Sequence, residues 1–125
     1  MTISVKPTSV TGMALPWQKS SSDGPRPRLP GDATPNRPPP GGESFAETAH
    51  RVNRACDRLL RDHGGQTVLV VSHITPIKIL LCRALGVPLG TLYRLYLGSA
   101  CINEIQWHGR GFAAVHCVND TSHLP

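Results

Sequence analysis

A short apolar run, Thr67-Val68-Leu69-Val70-Val71-Ser72, bounded by Gly64-Gly65 before it and His73-Ile74-Thr75-Pro76 after it, most constrains the fold of this chain. Six residues rich in β-branched side chains are too few for a helix of their own. An unbroken apolar run, rather than an alternating one, suits a strand buried on both faces, and such strands belong to parallel sheets covered by helices. Thr75 is suited to N-cap a following helix and Pro76 to be its first residue, so the strand should hand over to a helix within about three residues. His73 then stands at the carboxyl end of a central strand beside a helix N-terminus. Open α/β sheets hold ligands there, and the free amides of a helix start favour anions. On the residues alone two roles fit His73: a hydrogen-bonded loop histidine, or an imidazole that meets a ligand.

The flanking segments extend the same pattern. Ser44-Phe45-Ala46-Glu47 is a capping box, in which the serine hydroxyl accepts from the Glu47 amide and the Glu47 carboxylate reaches back to the serine amide. Phe45, Ala49, Val52, Cys56 and Leu59 follow at steps of four and three, drawing one apolar stripe on a helix that His63-Gly64-Gly65 ends. The opposite face carries Arg51, Arg54, Arg58 and Arg61, which reads as a solvated stripe. A second helix is expected from Pro76 to about Leu85, with Ile77, Leu80, Leu81 and Ala84 inward and Gly86 past its end. Leu92 to Leu97 fits either a helical turn or the entry to a strand. Ala100 to Trp107 and Gly111 to Val118 flank His108-Gly109-Arg110-Gly111, a turn rich enough in glycine for a hairpin. The tail, Asn119 to Leu124, is polar and turn-forming.

Composition divides the chain. Most of its 12 prolines lie between Pro7 and Pro40, in a stretch with little periodic apolar content. Residues 1–40 therefore read as a disordered or poorly packed arm, and residues 41–125 as the folded part, which is near the lower size limit for one stable core. The net charge of +5 permits an anionic partner without demanding one, and the few aromatics and scattered arginines make nucleic acid an unlikely one. Cys56, Cys82, Cys101 and Cys117 form no Cys-x-x-Cys pair, and His50, His63 and His73 lack the spacing of a helical zinc pair, so neither a metal nor another cofactor is suggested. No Gly-x-Ser-x-Gly elbow is present. Without a signal-peptide core or an apolar run of membrane-spanning length, a reducing cytoplasm is the default and no membrane partner is expected.

Pro39-Pro40-Gly41-Gly42-Glu43-Ser44-Phe45, Val70-Val71-Ser72-His73-Ile74-Thr75-Pro76-Ile77-Lys78, Leu92-Tyr93-Arg94-Leu95 and Asn119-Asp120-Thr121-Ser122-His123-Leu124 together resemble the C-terminal half of a histidine phosphatase of the phosphoglycerate-mutase-like superfamily. Within it they are most similar to the phosphatase half of bacterial bifunctional ribonuclease H and acid phosphatase proteins. The resemblance covers Pro39 to Leu124. It implies part of a three-layer α/β sandwich, a parallel sheet with an antiparallel edge hairpin, and hydrolysis of phosphomonoesters through a phosphohistidine. His73 matches the second histidine of the family, which donates an N–H to the phosphoryl oxygens, helped by the helix start at Ile74 and Thr75. Its ligand would be a phosphate ester or inorganic phosphate. His123 is open between capping the tail and touching substrate, and Glu43 reads as part of the turn that starts the first helix rather than as the general acid.

The family's nucleophile lies in an Arg-His-Gly string at the end of the first strand, and this sequence has no Arg-His pair. The resemblance therefore implies a truncated or remodelled member, inactive alone as a phosphatase, with the place of the first strand left as an unpaired sheet edge open to self-association. Three functions compete: a phosphomonoesterase completed by another chain or another nucleophile, a non-catalytic remnant that binds phosphate ligands or a protein, and a basic nucleic-acid binder.

Overall fold

Ser44 starts the first helix, α1 (Phe45–Asp62), by accepting from the Glu47 amide at 3.2 Å while the Glu47 carboxylate accepts from the Ser44 amide at 2.8 Å. The reciprocal pair satisfies two donors that have no partner inside a helix. The computed structural model describes residues 2–5, 40–108 and 111–125. In α1, Thr48, Val52 and Cys56 are buried, and Arg51, Arg54, Arg58 and Arg61 are all exposed. The helix stops at His63, whose amide bonds the Leu59 carbonyl, and Gly65 takes a positive φ to turn the chain.

The apolar run behaves differently from expectation. Only Thr67–Leu69 is regular strand (β2), and it is not buried on both faces: Leu69 is 72% and Val71 88% exposed. The reason lies in the sheet order. Naming Thr2–Val5 β1, Ile102–Trp107 β3 and Ala113–Asp120 β4, the sheet runs β2-β1-β3-β4, so β2 is an edge strand. With the strand ending early, helix α2 begins at Ile74 and runs to Leu85, with His73 rather than Thr75 as N-cap. Pro76 therefore sits third in the helix, still within the first turn, where a missing N–H breaks no helical hydrogen bond. Gly86 closes α2 in the left-handed region and donates to the Arg83 carbonyl. The ambiguous stretch from Leu92 to Leu97 is divided: a 3-10 turn over Leu89–Arg94 takes its first half, and the chain extends from Leu95.

β3 and β4 form the expected antiparallel edge hairpin, with Trp107 opposite Ala113 and Ile105 opposite Val115, and with a register shift between Ile102 and Ile105. Gly109 and Arg110 of its turn lie outside the described residues. β1 departs from the expectation of an unpacked arm. It fills the slot between β2 and β3, antiparallel to the first and parallel to the second, so that slot is not the open edge on which self-association was expected to rest. The rest of the arm, residues 6–39, lies outside the described residues. The α/β class stands, and the sheet itself is mixed, with one parallel pair.

One core joins these elements. Val52 and Cys56 of α1 and Ile77, Ile79, Leu80 and Leu81 of α2 pack with Ile105 and Trp107 of β3. Alternation along β3 buries Asn103, Ile105 and Trp107 against the helices and turns Ile102 and Glu104 outward. Arg83 of α2 ties the layer together: it donates to the Asn53 carbonyl at 3.1 Å, pairs with Asp57, and lies 5.1 Å over the Trp107 ring. Burial raises the Cys56 and Cys82 thiols above their ordinary range, so both serve as apolar core filler. Among the described residues no helix is long and apolar enough to cross a membrane.

Candidate functional site

Where β2 ends, the chain runs extended through Val71 and Ser72 to His73, whose φ of −83° and ψ of 166° turn it into α2. No hydrogen bond from the His73 side chain caps the helix, and its residue is exposed. Its backbone carbonyl accepts from Ile77 at 3.2 Å. The imidazole is thus not consumed by the capping role that a residue in this position commonly has. A cavity of about 400 Å³ opens here. One wall is Val71 to Ile74 with Ile77, and the other is the segment from Leu97 to Ile102 that leads into β3. Both walls stand at the same end of the sheet, because β2 finishes there and β3 begins there.

Of the residues singled out from the sequence, His73 and Ile74 line this cavity, and Thr75, half-buried one step further along α2, does not. The amides of Ile74 and Thr75 belong to the first turn of a 12-residue helix and have no carbonyl to bond within it. Such amides, with the positive end of the helix dipole, favour an anion. His123 is exposed beside Asp120 and is not part of the lining. Glu43 pairs with Arg51 at 2.9 Å, on the turn before α1, which lowers its carboxyl below the ordinary range.

Sequence reasoning missed the second wall. Gly98 and Ser99 fall between assigned segments, Ala100 and Cys101 were read as the start of a strand, and the only signal is the small Gly-Ser-Ala string that interrupts two apolar runs. Ala100 adopts a φ of 56°, uncommon for a residue with a Cβ. That turn is why β3 begins at Ile102 rather than at Ala100. The Gly98 amide donates to the Asn119 side chain at 2.7 Å, and the Asn103 side chain donates to the Cys101 sulfur at 3.4 Å.

A model of the histidine phosphatase superfamily (branch 1) matches residues 16–121. The chain belongs to the histidine phosphatase superfamily. The match starts ahead of Pro39, so family likeness reaches into the proline-rich arm, further than the motifs had indicated. Among curated proteins, the bifunctional protein Rv2228c of Mycobacterium tuberculosis is 48% identical over 86 residues, 69% of this chain and 24% of its own length. Phosphoserine phosphatase 1 of Hydrogenobacter thermophilus is 33% identical over 67% of this chain and 39% of its own length. A probable phosphoglycerate mutase of Salmonella paratyphi B is 36% identical over 68% and 41%. The chain thus spans between a quarter and two fifths of the length of these relatives. No solved structure matches it.

Strand direction sets which chain ends face this cavity. Thr2 pairs with Leu69 and Glu104, and Val5 with Trp107. β1 therefore starts at the His73 end of the sheet and runs away from it. A strand that delivers a residue at its carboxyl end into this cavity must run parallel to β2, and β1 runs the opposite way.

Proposed function

We propose that this chain provides the phosphoryl-oxygen-binding side of a histidine phosphatase site, with a phosphate ester or inorganic phosphate as ligand. The observation that carries it is the uncommitted His73 imidazole at the start of α2, opening into a cavity in a member of this superfamily. His73 donates an N–H to a phosphoryl oxygen, and the Ile74 and Thr75 amides add their partial positive charge at the helix start. In the double displacement of the family, the nucleophilic histidine of the Arg-His-Gly string attacks phosphorus, the ester P–O bond breaks, and the ester oxygen departs with a proton from the family's general acid. Water then attacks the phosphohistidine and releases inorganic phosphate. Charge accumulates on the non-bridging oxygens in both steps, which is where His73 acts.

These 125 residues contain no Arg-His pair, so we read the chain as forming no phosphohistidine by itself unless another residue replaces the family's nucleophile. It is completed by a chain that brings the nucleophile, or it acts as a non-catalytic binder of phosphate ligands or a protein. The direction of β1 favours these readings over a nucleophile hidden at the end of that strand. Four free cysteines suit a reducing compartment such as the cytoplasm.

The test pairs two measurements on the chain and on its His73→Ala variant: binding of inorganic phosphate, and phosphate release from a chromogenic ester at mildly acidic to neutral pH. Binding without turnover, lost in the variant, is expected. Turnover abolished by the substitution would mean that a complete pocket is assembled and that the chain is a phosphatase in its own right. Absence of binding in a cooperatively folded wild-type chain would sink the assignment.

A further inference from the structure

Asn103 is wholly buried, at 0% exposure, on the helix-facing side of β3, where its neighbours in the alternation are Ile105 and Trp107. An amide in such a place is costly unless its polar atoms are bonded. Here both ends are used. Its Oδ1 accepts from the Asn119 amide at 2.8 Å, and its Nδ2 donates to the Cys101 sulfur at 3.4 Å. Asn119 holds a φ of 58°, which asparagine tolerates better than most residues, and the Oδ1 of its side chain accepts from the Gly98 amide at 2.7 Å. The β3–β4 ladder is irregular between Ile102 and Ile105, near where these side chains act in place of backbone partners.

The chain of bonds therefore runs from Gly98 to Asn119, then to Asn103, then to Cys101. Its two ends are the two ends of the Gly98–Cys101 wall, and that wall faces His73 across the cavity. We propose that Asn103 and Asn119 are the positioning pair of the His73 site, fixing the backbone of Gly98–Cys101 at the distance from His73 that a bound phosphoryl group requires. This rests on the assignment of the cavity to phosphate. Neither asparagine touches the ligand; each acts through the wall it holds. Asn119 is suited to the task because one residue supplies both the left-handed turn and the acceptor. A glycine there would keep the turn and lose the acceptor.

The experiment follows backbone amides and the His73 ring by NMR while the full chain is titrated with inorganic phosphate. In the wild type, the Gly98–Cys101 amides should shift along with His73 and with a common dissociation constant. Asn119→Gly should weaken phosphate binding by about fivefold or more, the scale of one lost hydrogen bond. Ser44→Ala, which removes the α1 cap at a residue that does not line the cavity, serves as a control of comparable destabilisation and should leave the constant unchanged. If Asn119→Gly binds phosphate as tightly as the wild type, or no more weakly than Ser44→Ala, the pair does not position the site. If His73 shifts in the wild type while the Gly98–Cys101 amides stay still, the wall does not meet the ligand and the proposal falls without any variant. If the wild type binds no phosphate at all, the functional assignment fails first and takes the proposal with it, a result distinct from either of the others.

Discussion

Replacing Arg83 by methionine should destabilise the fold by about 2–3 kcal/mol, although the residue lies on α2 well away from the end where the cavity opens. Methionine keeps the apolar stem and removes three polar interactions. The hydrogen bond to the Asn53 carbonyl at 3.1 Å is charge-assisted, but that carbonyl also belongs to the ladder of α1, so its loss costs about 1 kcal/mol rather than the upper value for charged pairs. The guanidinium 5.1 Å over Trp107 adds about 0.5–1 kcal/mol at this partly open site. The pair with Asp57 counts only as a surface pair, about 0.2–1 kcal/mol, because the two side chains are 26% and 54% exposed. Urea denaturation followed by circular dichroism should show the midpoint fall by roughly 1 M or more, given slopes of about 1–3 kcal/mol/M for small domains. Repeating it in about 1 M NaCl separates the contributions, because the Debye length there is about 3 Å and only the Asp57 share is screened. Most of the penalty should survive. If it vanishes at high salt, or is below about 0.5 kcal/mol at low salt, Arg83 is a surface ion pair and not the tie between α1, α2 and Trp107.

Ser44→Ala should cost about 1 kcal/mol, the usual value of an N-cap, and lower the melting temperature by several degrees; a shift within measurement error would mean that the α1 start frays without consequence. Stability should also fall in acid. Glu43, held down chiefly by its hydrogen bond from Arg51, Glu47, held down by the Ser44 amide, and Asp120, held down by the Ser122 amide, all have folded values below their ordinary 4.5, 4.5 and 3.8. In that window the unfolded chain binds more protons, so the contribution is complete above the ordinary values and is lost as pH falls through the depressed ones. Denaturation midpoints between pH 7 and pH 3 check this, and a midpoint that rises on acidification below about pH 5 contradicts it.

Much of the local architecture was legible because its causes are local. Ser44 and Glu47 are three residues apart, and the box they form depends on little else. The spacing of Val52 and Cys56 fixes the buried stripe of α1, and Gly86 ends α2 because a left-handed residue there is easiest for glycine. The hairpin of β3 and β4 follows from two apolar segments around a glycine-rich turn. His73 was legible as a candidate for the same reason, standing between an apolar run and a helix start. The superfamily match spans residues 16–121 and so includes it.

What failed depended on which elements became neighbours. The run from Thr67 to Ser72 has the composition of a central strand, yet β2 lies at the edge, because burial on two faces requires partners that a strand's own residues do not provide. The place of Thr2–Val5 in the sheet could not be read from four residues whose pairing partners lie more than 60 positions further along the chain. Asn103 and Asn119 look like a polar interruption and the start of a turn. Only the pairing of β3 with β4 brings them together, and only the fold sets the wall they hold across from His73. The sequence by itself determined the helices, the Ser44 cap of α1, the Gly86 stop of α2, the hairpin and the identity of the imidazole at the helix start, since each rests on contacts within a few residues. Tertiary structure decided the edge position of β2, the slot taken by β1 and the second wall of the cavity, because those rest on long-range contacts whose entropy of closure only the whole core can offset.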